Sequence, residues 1–338
     1  MVYILGNHDY DQFSEENKRN AVSYKKSPMK IASIIISCLV LASCGNSDDG
    51  LGQVSSEPAL TDTQDITPIA VPTPTPSGDV DNQDLRSKPL VAIPDSSPRS
   101  VLEIEDIVIG DGPEVATGDY LIMDYVGVSY STGLQFDASW DRGQPFPFEL
   151  GAGRVIKGWD EGIPGMAVGG RRTLTIPPEM AYGESGSGSG SIGPNETLVF
   201  TVDLLAAVPQ NLLKPNVDVP NMPSEELFSV DNLLGQGKKV TLGSVVYIHY
   251  VGVSQSTGEQ FDSSWDRGRS EFIGYISGSG NVIDGLDQGM LGMQVGGRRT
   301  IVIPPNLAYG ANGAGDGLIA PNETLIFTVD LLGVHPLR

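Results

Sequence analysis

Phe136-Asp137-Ala138-Ser139-Trp140-Asp141-Arg142-Gly143 returns 125 residues later as Phe261-Asp262-Ser263-Ser264-Trp265-Asp266-Arg267-Gly268. The same offset relates Asp124-Tyr125-Val126-Gly127-Val128-Ser129 to His249-Tyr250-Val251-Gly252-Val253-Ser254. Further on, the offset becomes 127. Val168-Gly169-Gly170-Arg171-Arg172-Thr173 reappears as Val295-Gly296-Gly297-Arg298-Arg299-Thr300, and Pro194-Asn195-Glu196-Thr197-Leu198 as Pro321-Asn322-Glu323-Thr324-Leu325. The second copy therefore gains two residues between Arg267 and Val282. A period above 100 residues exceeds the roughly 20–50 of solenoid units, so the repeats are whole domains in tandem. They are placed at 101–209 and 225–338, with 210–224 as a linker.

Within each copy the segments read mostly as strands. Tyr120–Val126 and Leu198–Leu204 are rich in β-branched and aromatic residues and bounded by turn formers. One segment has helical spacing instead: Ile156, Trp159, Ile163 and Met166 step by 3, 4 and 3, as do Ile283, Leu286, Met290 and Met293. A lone short helix among antiparallel strands must bury its stripe on the sheet. The expectation is two α+β domains, each a curved antiparallel sheet on one short helix. Pro164 should end the first helix early, while the second can run slightly further.

The 338 residues carry 21 basic and 42 acidic side chains, a formal charge of −21, with no basic patch to offset it. Nucleic acid is therefore a poor partner. The two cysteines, Cys38 and Cys44, lie near the N-terminus, and His8, His249 and His335 are far apart, so no metal site is expected. Gly151-Ala152-Gly153 lacks the βαβ context of a dinucleotide loop. Arg171 and Arg172 read as a solvated strand end rather than a phosphate site.

Lys25, Lys26 and Lys30 precede an apolar run, Ile31–Leu41, and the small residues that follow complete a secretory signal in residues 1–44. The run is shorter than the roughly 20 residues that span a bilayer. Residues 45–100, exemplified by Thr73-Pro74-Thr75-Pro76-Ser77, show neither helical nor strand period and read as a disordered tether. About 55 coil residues reach roughly 40 Å.

Leu41-Ala42-Ser43-Cys44 resembles the lipobox of bacterial lipoproteins. That likeness implies lipidation at Cys44 and a cell-envelope location, on the outer membrane facing the periplasm or on the cell surface. The two repeats resemble the FKBP family of prolyl isomerases. The resemblance rests on Tyr125-Val126-Gly127, Phe136-Asp137, Asp141-Arg142, Phe146-Pro147-Phe148, Val155-Ile156-Lys157-Gly158-Trp159, Ala181-Tyr182-Gly183 and Thr197-Leu198-Val199-Phe200 in the first copy. It implies peptidyl-prolyl cis/trans isomerisation without a cofactor. Proline-containing, unfolded or nascent exported polypeptides are the implied partners, and macrolides the implied inhibitors. The alternative is a chaperone that binds prolyl peptides with incidental turnover.

By the same resemblance Tyr125, Phe136, Phe146, Val155, Ile156, Trp159, Tyr182 and Phe200 line a pocket for the proline ring, with Trp159 as its floor and Ile192 on the loop above. Asp137 sits at the rim paired with Arg142, while the Tyr182 hydroxyl and the Ile156 backbone N–H hold substrate carbonyls. Phe148 reads as core, and Ser185–Ser191 as a mobile loop over the pocket. In the second copy the matching residues are Tyr250, Phe261, Asp262, Arg267, Val282, Ile283, Tyr309, Ile319 and Phe327. There Leu286 replaces the tryptophan floor, and the inserted residues blur which of Phe272–Tyr275 matches Phe146. The first domain is accordingly expected to be the faster isomerase.

Overall fold

The structure, a computed structural model, describes residues 82–219 and 225–337. The leader, the signal, Cys44, the tether up to residue 81 and residues 220–224 lie outside the described residues.

Strand β2 (Tyr120–Ser129) organises the first domain because both of its faces are apolar. Leu121, Met123 and Tyr125 point to one side, and Ile122, Val126 and Val128 to the other; all are buried. A strand covered on both faces reads as a nearly continuous apolar run. Strand β6 (Leu198–Val208) flanks β2 on one edge and passes on to β5 (Arg171–Ile176), then to β1 (Glu103–Val108). The other edge of β2 is shared. Strand β3 (Gln135–Ala138) pairs with Val126–Val128, and β4 (Phe146–Glu149) with Tyr120–Met123. All pairings are antiparallel.

The second domain repeats this order with β7 (Phe228–Leu233), β8 (Ser244–Ser254), β9 (Gln260–Ser263), β10 (Ile273–Ile276), β11 (Arg298–Ile303) and β12 (Leu325–Pro336). Asn195 and Asn322 take the left-handed conformation at φ 53° and 56°. The next residue, Glu196 or Glu323, then accepts both the backbone N–H and the hydroxyl of Ser131 or Ser256. That turn gives the repeated Pro-Asn-Glu-Thr its structural use.

One helix per domain lies on the inner face of the sheet: Lys157–Gly162 in the first and Asp284–Met290, one residue longer, in the second. The first buries Trp159 and the adjoining Ile163 beside Leu174 and Ile176. Met166 is buried as well but lies beyond the helix, so the apolar stripe outlasts the helical conformation. A further helix, of four residues, corrects the expectation of a single one. It is labelled α1 (Ser139–Arg142), which makes the inner helices α2 and α3, and it closes on Gly143 at φ 62°. Its counterpart around Trp265–Arg267 is only a turn.

The paired arginines overturn the solvated reading. Arg171 is 0% exposed, with Nε and Nη2 on the two Asp203 carboxylate oxygens at 2.5 and 2.9 Å. Its other donors reach the carbonyls of Asn82 and Ser87 at 2.8 and 3.1 Å. Arg172 pairs with Asp106 on β1 and donates to the Gly162 carbonyl at the end of α2, tying edge strand to helix. Arg299 does the same between Asp231 and the Gly289 carbonyl.

The supposed tether also needs correction over residues 82–100. Val91 and Ile93 pack on Val126, Val128, Ala138 and Val199, the outer face of the sheet. Lys88 pairs with Asp141 at 2.5 Å, and the Tyr130 hydroxyl donates to the Ser96 carbonyl at 2.6 Å. The linker 210–224 also packs on the sheet over 212–217. Lys214 pairs with Asp266 at 2.5 Å, Arg298 donates to the Leu213 carbonyl, and Val217 packs beside Trp265. Each apolar outer face would otherwise meet water, and Val91 with Ile93 in the first domain, or Val217 in the second, packs against it.

The two domains touch through a shared apolar cluster of Ile122, Leu205, Ala206, Val208 and Leu332, with Tyr120 and Phe272 against it. β12 approaches β6 so closely at Gly333 that a Cβ there would stand 2.2 Å from the Leu205 carbonyl oxygen. Only glycine permits that contact.

Candidate functional site: two aromatic cups

In the first domain the Tyr-Val-Gly end of β2 brings Tyr125 over the start of α2. Its ring lies edge-on to Trp159 at 5.2 Å between centroids. Trp159 also meets Phe200 at 5.3 Å, Phe148 at 5.7 Å and Phe146 at 6.2 Å, and Phe136 closes on Phe200 at 5.4 Å. Edge-to-face pairs of this kind contribute about 0.5–1.5 kcal/mol each beyond burial. Gly127 makes the cup possible, because a Cβ there would lie 2.7 Å from both Phe136 and Phe200. Val155 and Ile156 pack at the edge of this cluster, and Ile192 is buried in it.

The rim is polar. The Tyr125 hydroxyl donates to Asp137 Oδ2 at 2.5 Å, and Arg142 donates to the Tyr125 oxygen at 2.8 Å and also pairs with Asp137. Burial, then the neighbouring Asp137 carboxylate, pushes the Tyr125 phenol up to about 12. Tyr125 is thus a neutral donor at physiological pH, fixed in orientation by two charged neighbours. Ile156 precedes α2 in an extended conformation and, among the described residues, its N–H has no hydrogen-bond partner. Tyr182 is 43% exposed and opens the loop that carries Ile192. That loop is pinned at its tip: Ser187 N–H donates to the Ile192 carbonyl and Ile192 N–H to the Ser187 hydroxyl, both at 2.9 Å.

The second cup keeps the rim and changes the floor. Tyr250 donates to Asp262 at 2.5 Å, and Arg267 donates to Asp262 at 2.6 Å and to the Tyr250 oxygen at 3.2 Å. Burial, then Asp262, pushes Tyr250 up to about 12 as well, and burial raises the exposed-side Tyr309 in the same direction. Phe327 meets Tyr250 at 5.9 Å and Phe261 at 5.5 Å. Val282 and Ile283 pack at the edge, Ile319 is buried, and Leu286 lies where Trp159 stands in the first copy.

Strand register settles the residue that the insertion had blurred. Phe146 pairs with Met123, and Ile273 with Ile248, the equivalent position on β8. Ile273 therefore takes the place of Phe146, and Tyr275 that of Phe148. The structure packs the sequence-predicted apolar residues of each domain in or against the core and joins the tyrosine, aspartate and arginine of each rim, while Tyr182 and Tyr309 stand exposed on the loops that follow. It adds Phe148, read as plain core, which stacks on Phe146 at 5.6 Å. The straps were missed although a repeat announces them: Lys88-Pro89-Leu90-Val91-Ala92-Ile93-Pro94 against Lys214-Pro215-Asn216-Val217-Asp218-Val219-Pro220.

The family model described as FKBP-type peptidyl-prolyl cis-trans isomerase matches residues 112–205 and again 236–332. An FK506-binding protein of Streptomyces anulatus is 55% identical over 119 residues, covering 35% of this chain and 96% of its own length. Peptidyl-prolyl cis-trans isomerase FKBP10 of Homo sapiens is 40% identical over 225 residues, covering 66% of this chain but only 35% of that protein. A crystal structure of the three FKBP domains of wheat FKBP73 covers 70% of this chain and 95% of its own, at 22% identity and a TM-score of 0.31. With the family model matched twice, once over each aromatic cup, the chain belongs to the FKBP-type peptidyl-prolyl cis-trans isomerases.

Proposed function

We propose that the first cup is the principal catalytic site of this peptidyl-prolyl cis-trans isomerase and that the second binds prolyl peptides with slower turnover. The observation that carries the reading is the Trp159 floor, ringed by Tyr125, Phe146, Phe148 and Phe200 beneath a charged rim. Rotation about an X–Pro bond costs about 18–20 kcal/mol because amide resonance is lost midway. Unaided, it takes tens of seconds. A gain of about 10⁴ needs only ~5.5 kcal/mol of preferential binding to the twisted amide. The reaction calls for no nucleophile or proton transfer. The cup grips the proline ring, and the twisted amide, less polar than the planar one, favours dry surroundings. In this reading the Ile156 N–H, which has no partner among the described residues, and the Tyr182 hydroxyl hold the carbonyls beside the proline, while Tyr125, Asp137 and Arg142 keep the rim rigid.

The same proposal covers the wider setting. The clients are unfolded or nascent exported proteins with X–Pro bonds, and FK506-type macrolides compete for the cup. A lipid on Cys44 anchors the chain in the cell envelope, on the outer membrane facing the periplasm or on the cell surface. The chaperone reading is favoured for the second domain alone by its leucine floor. To test the assignment, cis-to-trans conversion of a Phe-Pro peptide is followed in the full chain and in Asp137→Ala and Asp262→Ala variants. Asp137→Ala is expected to remove most of the macrolide-sensitive rate. Loss of that rate in Asp262→Ala instead would reverse the ranking.

A further inference from the structure

The two residues gained by the second copy fall in the stretch from Gly268 to Phe272, between the rim residue Arg267 and β10. In the first domain the equivalent chain leaves Arg142 through a capped helical turn and enters β4 after Gln144 and Pro145. The second domain has no such helix. Its loop is held by turn bonds from Arg267 to Ser264, Gly268 to Trp265 and Glu271 to Gly268, and by contacts with the other domain. Arg269 donates to the Val208 carbonyl at 2.9 Å and to the Gly118 carbonyl at 3.1 Å, both in the first domain. Phe272 lies 6.3 Å from the Tyr120 ring, also in the first domain.

The same loop is fastened to the second cup. His249 occupies the position of Asp124, one residue before the rim tyrosine. Its ring stacks on Trp265 at 4.2 Å, with Nδ1 on the Ser264 hydroxyl at 2.8 Å and Nε2 on the Arg269 carbonyl at 3.0 Å. The Ser264 hydroxyl in turn accepts the Tyr250 N–H at 2.8 Å. An unbroken chain of contacts therefore runs from the backbone of the first domain through Arg269, His249 and Ser264 to Tyr250, and through the turn to Arg267.

We infer that Arg269 and His249 are positioning residues of the second cup: the first domain, clasped by Arg269, holds the Tyr250–Asp262–Arg267 rim in its working geometry. The first cup needs no such support, since α1 fixes Arg142 from within its own domain. The inference rests on the reading that the second cup takes prolyl peptides, and it makes that cup's efficiency a property of the domain pair.

The test uses the full chain with the first cup silenced by Asp137→Ala and Tyr182→Ala. Conversion of a Phe-Pro peptide and amide exchange of residues 264–272 are then measured with and without Arg269→Ala. The expected result is at least tenfold faster exchange at Gly268 and Glu271, together with a loss of threefold or more in kcat/KM. Arg269→Lys, which can still donate to a carbonyl, should restore part of both, and Phe272→Leu should give a weaker version of the same pair of changes if Arg269→Ala disturbs folding. Exchange and rate both within twofold of the silenced parent would overturn the inference. So would a loosened loop with an unchanged rate, which would make the clasp structural only. If the silenced parent shows no turnover, the catalytic reading of the second cup fails by itself. Macrolide binding by the same variants then decides the positioning: unchanged affinity in Arg269→Ala overturns it, and a threefold or greater weakening supports it.

Discussion

The first and second domains share a sheet order, a rim and a helix position, yet they differ in how deeply each feature is embedded. Trp159 touches four aromatic rings, whereas Leu286 offers an aliphatic floor beside Ile273 where Phe146 stands in the first copy. Arg171 is wholly enclosed by Asp203 and the strap carbonyls, but the Arg298 side chain remains 24% exposed and, among the described residues, reaches one strap carbonyl, that of Leu213. The hydrogen bonds that join tyrosine, aspartate and arginine in the rim are present in both copies, while the aromatic floor is present only in the first. Rim and floor can therefore vary independently, because the rim is built from β2, β3 and the turn after β3, and the floor from the helix.

The comparison is broken most severely at the buried arginines. Arg171→Ala leaves Asp203 enclosed without a countercharge, and removing one partner of a buried pair costs about 3–5 kcal/mol. Arg298→Ala should cost less, since the Arg298 side chain is partly exposed, although Asp330 is itself buried. Thermal unfolding of the full chain checks this: the first-domain transition should fall further in Arg171→Ala than the second-domain transition in Arg298→Ala. Equal shifts would mean that the strap carbonyls around Arg171 add nothing.

Exchanging the floors sharpens the kinetic side. Trp159→Leu should lower kcat/KM of the first cup about tenfold, equivalent to ~1.4 kcal/mol of lost transition-state binding. Leu286→Trp should raise that of the second, by less than tenfold, because Ile273 cannot supply the ring that Phe146 gives Trp159. Peptide conversion in single-cup variants reads both. A first cup indifferent to Trp159→Leu would show that the rim, not the floor, sets the rate.

How much of this could be read beforehand depends on the range of the interactions. The tandem architecture was legible because whole motifs recur, and the cups because the motifs around Tyr125, Phe136, Trp159 and Phe200 resemble those of the FKBP family. The straps were missed because Pro-, Ser- and Asp-rich composition outweighed a short Val-x-Ile alternation, although Lys88-Pro89 and Lys214-Pro215 repeat like everything else. Arg171 looked solvated because no local pattern reveals that a strap from 84 to 89 residues upstream will roof it. The equivalence of Ile273 and Phe146 needed strand register, since an insertion erases offset as a guide. Interdomain contacts such as that of Arg269 left no sequence signal beyond the insertion itself.

The smallest expected difference between the domains is a pH dependence that only the second should show. His249 is the residue concerned, and its counterpart in the first domain is Asp124. Burial holds the imidazole below its ordinary value of 6.5, and the facing Arg267 and Arg269 guanidiniums push the same way against the opposing pull of the Arg269 carbonyl. The folded chain thus binds this proton less readily than the unfolded chain. Above pH 6.5 the ring is neutral in both states and its packing is fully retained. As pH falls below 6.5, the unfolded state takes up a proton that the folded state refuses, so stability declines until the depressed folded value is reached. Amide exchange of β8 measured in steps downward from pH 7 should accelerate, after correction for intrinsic rates, while that of β2 should not. His249→Asn should abolish the difference, because asparagine keeps a hydrogen-bonding group beside Ser264 without a titrating ring. If β2 and β8 respond alike in the parent chain, the clasp at Arg269 does not feel the charge on His249, and the second domain is no more sensitive to acid than the first.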